Sequence, residues 1–261
     1  MKSITQQNKH INLFPVRTVK CSVCKCSGHN KTSCGKRAVL NRKYDKIVED
    51  VISVAKTIPV SRLECDGRME SAFSEKPFLS EMKNRLSVLN PAYKIIISPP
   101  RSSCDMMIET LRINLKLTNC KTADNSVSKP AIYYSTTGLI NYPESSTWND
   151  FYEHMTNAKM NGKIKRSRER MSEYHYLVKN KITGEVLFKS IFDVHTYISN
   201  PSNVLQINWK KEFSNIRHHT NDDEYVNKVS SLLLTIQTSI RRMIERTKNF
   251  ALADINSLMK F

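Results

Sequence analysis

The spacing of apolar residues divides the chain into two textures. Over residues 39–57, Val39, Leu40, Tyr44, Ile47, Val48, Val51 and Val54 recur every three or four positions, and Pro59 closes the run. That is the period of a helix with one buried stripe. A second helix is expected from residue 76 or 77 to residue 89, with Phe78, Leu79, Met82, Leu86 and Leu89 on one side. Ser74 is its expected N-cap and Pro77 falls in its first turn. The pattern then shortens. Residues 93–98 (YKIIIS), 105–108 (DMMI), 111–118 (LRINLKLT) and 131–134 (AIYY) are brief runs rich in β-branched and aromatic residues, separated by Pro, Ser, Asn and Asp. They predict strands, and residues 174–178 and 185–188 predict a hairpin around residues 179–184. A long amphipathic helix is expected over residues 223–248, with Val226, Val229, Leu233, Ile236, Ile240 and Ile244 facing inward. Helices before and after a β region make a mixed α/β class.

Charge narrows the partners. The 261 residues carry 41 Lys and Arg against 24 Asp and Glu, a formal net charge of +17. Such an excess points to a polyanion, because each phosphate neutralised by a lysine or arginine releases a condensed counterion. A membrane surface, or a solvated basic surface with no ligand, is the alternative. No apolar run approaches the roughly 18–20 residues of a membrane helix, and the opening residues MKSITQQNKHINLF lack the apolar stretch of a secretory signal. The seven cysteines are odd in number and four crowd residues 21–34. This is metal-site usage in a reducing, cytoplasmic compartment, not a disulfide framework. Six glycines and no Gly-rich phosphate loop argue against nucleoside-triphosphate hydrolysis.

Cys21-x2-Cys24-x4-His29-x4-Cys34 is the sharpest local signal. Three thiolates and one imidazole make a tetrahedral set suited to structural Zn²⁺, with no position left for catalysis. Gly28 permits the turn that swings His29 inward, and Cys26 is a spare thiol. The segment resembles the CCHC zinc knuckles of retroviral and plant proteins. Knuckles bind single-stranded nucleic acid or other proteins; Lys20, Lys25, Lys31 and Lys36 favour nucleic acid, while Cys26 and Ser27 offer no aromatic platform. The expected organisation is a flexible basic N-terminus (1–18), the knuckle (19–36) and a main domain (37–261).

A second constellation lies in the β region. Asp105 opens DMMI, a turn is expected at Glu109-Thr110, and Asn114 and Lys116 alternate onto one face of the returning strand. An aspartate and a lysine converging at a strand end suit metal-assisted phosphodiester hydrolysis, the acid holding a divalent cation and the lysine steadying developing charge. The alternative is that both are ordinary strand residues.

These residues resemble the PD-(D/E)XK nucleases, specifically type II restriction endonucleases. Residues 103–138 (SCDMMIETLRINLKLTNCKTADNSVSKPAIYYSTTG) look like their catalytic hairpin and the DNA-facing segment after it. Phe188-Lys189-Ser190-Ile191-Phe192 and Val204-Leu205-Gln206-Ile207-Asn208-Trp209 resemble a late segment of blunt-cutting members. The resemblance implies a central mixed β-sheet flanked by helices and a Mg²⁺-dependent, site-specific cut in double-stranded DNA by a homodimer. Asp105, Lys116 and Asn114 would form the catalytic set, and Lys121, Asp124, Asn125 and Lys129 would lie near the DNA backbone. One departure stands out: Asn114 occupies the position where the family carries Asp or Glu, and amide oxygen holds Mg²⁺ less well than carboxylate. Glu70, Glu75 and Glu81 are the candidate replacements, with Glu75 favoured at the start of the second helix. If none reaches the site, the chain binds DNA without cutting it.

Residues 163–170 (KIKRSRER) are the densest basic run, with Lys163, Lys165, Arg166 and Arg168 as candidate phosphate contacts or a solvated surface. His218 and His219 lack partners at ligand spacing and are expected on the surface. Trp148 and Trp209 are expected to anchor the core.

Overall fold

The computed structural model describes residues 20–21, 30, 34–60, 67–99, 102–121, 123–125, 129–139, 142, 147–165, 168–200, 204–215 and 222–258. The chain divides into two units, residues 1–43 and 44–261. Two long helices open the described chain, α1 (Gly35–Thr57) and α2 (Gly67–Leu89). A meander follows: β1 (Ile95–Ile97), β2 (Met106–Ile108) and β3 (Leu111–Thr118). Then come β4 (Asp124–Asn125), α3 (Lys129–Thr137) and α4 (Trp148–Met160). The hairpin of β5 (Tyr174–Asn180) and β6 (Val186–Ser190) leads to β7 (Tyr197–Asn200), β8 (Val204–Ile207), the short α5 (Trp209–Phe213) and α6 (Asp222–Leu258).

The main sheet runs β1-β2-β3-β5-β6. Every pairing in it is antiparallel except β3 with β5, which is parallel with Leu115 opposite Leu177. A small sheet, β4-β8-β7, stands apart from it. The main sheet is mixed and has helices on both faces, as the α/β reading expects. On one face Leu111, Ile113, Leu115 and Leu117 pack with Ile47 and Val51 of α1 and Phe78, Met82 and Leu86 of α2. On the other, Tyr174, Tyr176 and Val178 of β5 pack with Ile132 of α3, Phe151 and Met155 of α4, and Val229 and Ile236 of α6.

Local chemistry accounts for several boundaries. Glu109 adopts a left-handed backbone (φ 55°) in the two-residue turn between β2 and β3, where the turn was expected. The α4 helix begins at a reciprocal capping box: the Thr147 hydroxyl accepts the Asp150 N–H at 3.2 Å and the Asp150 carboxylate accepts the Thr147 N–H at 2.7 Å. Lys179, buried in β5, donates to the carbonyls of Ala55 (2.7 Å), Lys56 (3.2 Å) and Ile58 (2.5 Å). A lysine there satisfies carbonyls that a helix C-terminus leaves without partners and complements its partial negative charge.

Two expectations are corrected. Residues 131–134 are helix, not strand: Pro130 suits a first turn, Ala131 and Ile132 are buried, and the Thr136 and Thr137 hydroxyls bond back to the carbonyls of Ile132 (2.8 Å) and Tyr133 (2.6 Å). The second helix starts at Gly67, so Ser74 is not its N-cap and Pro77 lies inside it. Trp209 is fully buried and meets Tyr176 edge-on at 5.2 Å, an anchor as expected. The Trp148 side chain, His218 and His219 lie outside the described residues. Among the described residues no helix is long and apolar enough to cross a membrane.

Candidate active site

The site forms where the meander runs out. β1 and β2 have three residues each, whereas β3 has eight, so beyond Ile113 the outer edge of β3 passes the end of β2. Asp105 fills this step. Its backbone N–H donates to the Ile113 carbonyl and its carbonyl accepts from the Ser98 N–H, both at 2.9 Å. Its side-chain Oδ2 accepts the Leu115 N–H at 2.7 Å. The carboxylate thus takes the place of the missing strand.

On β3 the buried positions 111, 113, 115 and 117 alternate with half-buried Arg112, Asn114 and Lys116. The expected sharing of one face by Asn114 and Lys116 is therefore observed, and Arg112 joins them. The Arg112 guanidinium lies 3.6 Å from the centre of the Tyr134 ring on α3, a cation–π contact that fixes the N-terminal half of this face.

Electrostatics tie Glu75 of α2 to the same place. Burial pushes the Glu75 carboxyl above its ordinary value; Asp105 pushes it further, while Lys116 and Lys181 pull it back. Burial likewise raises Asp105, against the Leu115 N–H and the Lys116 charge. Asp105, Lys116 and Lys181 thus all act on Glu75, and Lys116 acts on Asp105. Lys181 was not anticipated. It follows β5, and its N–H donates to the Thr118 carbonyl at 2.8 Å, so only the parallel β3–β5 pairing brings it here. Non-local pairing of that kind leaves no trace in residue spacing, whereas Arg112 was readable from the period-2 alternation.

The Asn114 Oδ1 atom is a buried acceptor with no donor among the described residues. An orphaned buried acceptor costs on the order of 1–3 kcal/mol, and its register position is that of Asp105 across the β2–β3 pair. Mg²⁺ takes oxygen ligands, preferably carboxylate and carbonyl. The Asp105 and Glu75 carboxylates and the Asn114 amide oxygen fit that requirement. Among the described residues there is no group of three or more His, Cys, Asp and Glu side chains arranged to hold a metal. The set here is two acids plus an amide.

Of the four residues expected to form a knuckle, Cys21 and Cys34 are buried, at 2% and 3% exposure; Cys24 and His29 lie outside the described residues. The basic run divides. Lys163 is exposed. Lys165 donates to Ser172 Oγ at 3.0 Å and lies 5.6 Å from the Tyr134 ring centre. Arg166 lies outside the described residues. Arg168 turns inward, 7% exposed, bonding Glu173 at 3.0 Å and Asp193 at 2.6 Å. Two buried acids hold that guanidinium, so it is a core ion pair and not a phosphate contact. Lys121 is exposed; Asp124 and Asn125 form β4, paired with Ile207 and Gln206 of β8; Lys129 opens α3. Glu81 pairs with Arg85 at 2.6 Å on the surface of α2, and the Glu70 side chain lies outside the described residues.

No protein-family model, no curated protein and no solved structure matches this chain.

Proposed function

We propose that the chain is a Mg²⁺-dependent endonuclease of restriction type that hydrolyses phosphodiesters in double-stranded DNA. The observation that carries this reading is the mutual electrostatic action of Asp105, Glu75 and Lys116 beside the donorless Asn114 Oδ1. A mixed sheet flanked by helices, with the acid just before β2 and the lysine on the antiparallel neighbour β3, is consistent with the restriction-endonuclease-like core that the sequence resembles.

In this reading Asp105, Glu75 and the Asn114 amide oxygen hold the cation. Bound Mg²⁺ supplies Lewis-acid polarisation of the phosphate and a more acidic water. Lys116 steadies charge developing on the phosphate or orients the attacking water, and Lys181 adds positive potential. Asp105 reaches its task pre-oriented, because its second hydrogen-bonding role, to Leu115, fixes the carboxylate plane. A two-fold DNA site is naturally cut by a homodimer, and the zinc knuckle adds a grip on nucleic acid.

The test is incubation of the protein with mixed-sequence duplex DNA and Mg²⁺. Discrete fragments, absent with Asp105→Ala, support the nuclease. Tight retention of uncut DNA by the unsubstituted protein supports a second reading, a non-catalytic zinc-knuckle binder. That alternative is favoured by the lack of a third acid among the described site residues.

A further inference from the structure

A groove of about 500 Å³ runs between α4 and α6. One end is closed by a hydrogen bond between the helices, from Gln237 Nε2 to the Tyr152 hydroxyl at 2.8 Å. From there one wall passes Met155 to Lys159, and the other runs back along α6 past Leu233 to Val226. The floor is apolar. Met155 and Val229 are buried, and Leu233 packs against the same core. Both hydroxyls in the walls turn to their own helices, Thr156 to the Tyr152 carbonyl at 2.9 Å and Ser230 to the Val226 carbonyl at 3.0 Å. On the rim Leu234 stays 62% exposed. Charge enters only at the open end, where Lys159 lies in the last turn of α4 and Lys165 follows it. Lys165 is engaged by Ser172 at 3.0 Å and Glu169 at 3.8 Å, whereas Lys159 is exposed. Among the described residues that line the groove there is no acid.

We infer that this groove binds a monoanionic amphiphile, an unbranched hydrocarbon tail ending in a carboxylate. The carboxylate meets Lys159, and the tail lies over Met155 and Leu233 with its tip at the Tyr152–Gln237 bond. An apolar cleft with a few polar groups at one end is the usual form of a small-molecule site. Tyr152 to Lys159 covers about 10 Å at 1.5 Å per residue. An extended covalent chain advances about 1.2 Å per bond, so a tail of about eight to ten carbons fills that length. A partner helix fits less well, because lying along the groove it would cover the polar Tyr152–Gln237 bridge. A phosphate backbone would meet the lysines but bring nothing apolar to the floor. The inference is independent of the nuclease reading, and neither Asp105, Glu75, Asn114 nor Lys116 lines the groove.

The experiment titrates the full chain, isotopically labelled at its methionine methyl groups, with hexanoate, octanoate, decanoate, dodecanoate and tetradecanoate below their micelle concentrations. One ligand should bind per chain and shift the Met155 methyl resonance. Affinity should rise about threefold per added methylene, because each one buries more apolar surface. It should level off beyond about ten carbons, where the tail outgrows the groove. Lys159→Glu should weaken decanoate about tenfold, since a like charge replaces the attraction, and leave uncharged decan-1-ol unchanged. Thr156→Phe, at an exposed position, should fill the groove and abolish the Met155 shift with both ligands while the melting temperature holds. Absence of decanoate binding, several equivalents bound per chain, or affinity still climbing at tetradecanoate would overturn the inference. So would a Lys159→Glu chain that binds decanoate as the unsubstituted chain does. A Met155 shift that follows protein concentration without any ligand would overturn it in favour of a second copy of the chain in the groove.

Discussion

The Asp105 carboxylate accepts the Leu115 backbone N–H at 2.7 Å, so the acid that precedes β2 is fastened to the middle of β3. One oxygen completes the sheet edge, and in the proposed function the carboxylate also holds the cation. Structure and proposed catalysis thus meet in one side chain, and the two can be separated by choice of substitution.

Asp105→Asn keeps an oxygen acceptor for Leu115 and removes the charge. Its melting temperature should lie within a few degrees of the unsubstituted protein, while Mg²⁺-dependent cleavage should fall by about 10²-fold or more. Retained cleavage would dismiss Asp105 as a metal ligand.

Asn114→Asp restores an acid where the amide oxygen lacks a donor. Mg²⁺ should bind about tenfold more tightly, measured by titration calorimetry, since carboxylate is the better ligand for a hard cation. Without Mg²⁺ the same variant should melt lower, because a third half-buried carboxylate repels Asp105 and Glu75.

The pH dependence carries a definite sign. The Glu75 carboxyl is raised above its ordinary 4.5 and Asp105 above 3.8, each first by burial. The folded chain therefore binds protons more readily at these groups than the unfolded chain does. Their cost to stability is fully present at neutral pH and is relieved as pH falls through the raised values. In Mg²⁺-free buffer Glu75→Gln should raise the melting temperature at pH 7, with the gain shrinking toward pH 4. A gain of equal size at both pH values would contradict the burial of Glu75.

Lys189 and Glu212 form an ion pair at 2.6 Å with no exposure of either side chain. Glu212 also accepts from the N–H groups of His195 (2.8 Å) and Thr196 (2.7 Å). Although burial pushes this carboxyl up, Lys189 and Thr196 more than offset it and hold it below the usual range. Lys189→Met strands the carboxylate and should cost about 3–5 kcal/mol, visible as a drop of roughly 10 °C in melting temperature.

Zinc is tested by stoichiometry. The unsubstituted chain should hold one Zn²⁺ by elemental analysis, and Cys34→Ser should lose it while the melting of the main unit changes little. One zinc per chain in the serine variant would remove Cys34 from the ligand set.

Short-range chemistry was legible and long-range assembly was not. β3 was bounded at residues 111 and 118 because its alternation is uninterrupted, and the Glu109-Thr110 turn and β5–β6 hairpin are equally local. The α3 segment is helix where a strand is expected because the strand propensity of Ile132, Tyr133 and Tyr134 is overridden by burial on several sides. The spacing of Thr147 and Asp150 marks the start of α4 locally. At the site, the shared face of Asn114 and Lys116 follows from period 2, and the approach of Asp105 follows from the Glu109-Thr110 turn. The arrival of Lys181 and the inward turn of Arg168 depend on partners far along the chain, β3 for one and Asp193 for the other.

The parallel alignment of β3 with β5 sets an order of assembly. Residues 119–173 must be threaded and their helices laid down before Leu177 can settle beside Leu115. Until then the inner rim of the strand that carries Lys116 stands bare, a sticky surface on a newly made chain. The β1–β3 meander can form at once from neighbouring residues, but its apolar strands wait for a latecomer. A parallel pairing across so long a stretch of chain closes later than the meander, because loop closure must come before the contacts that reward it.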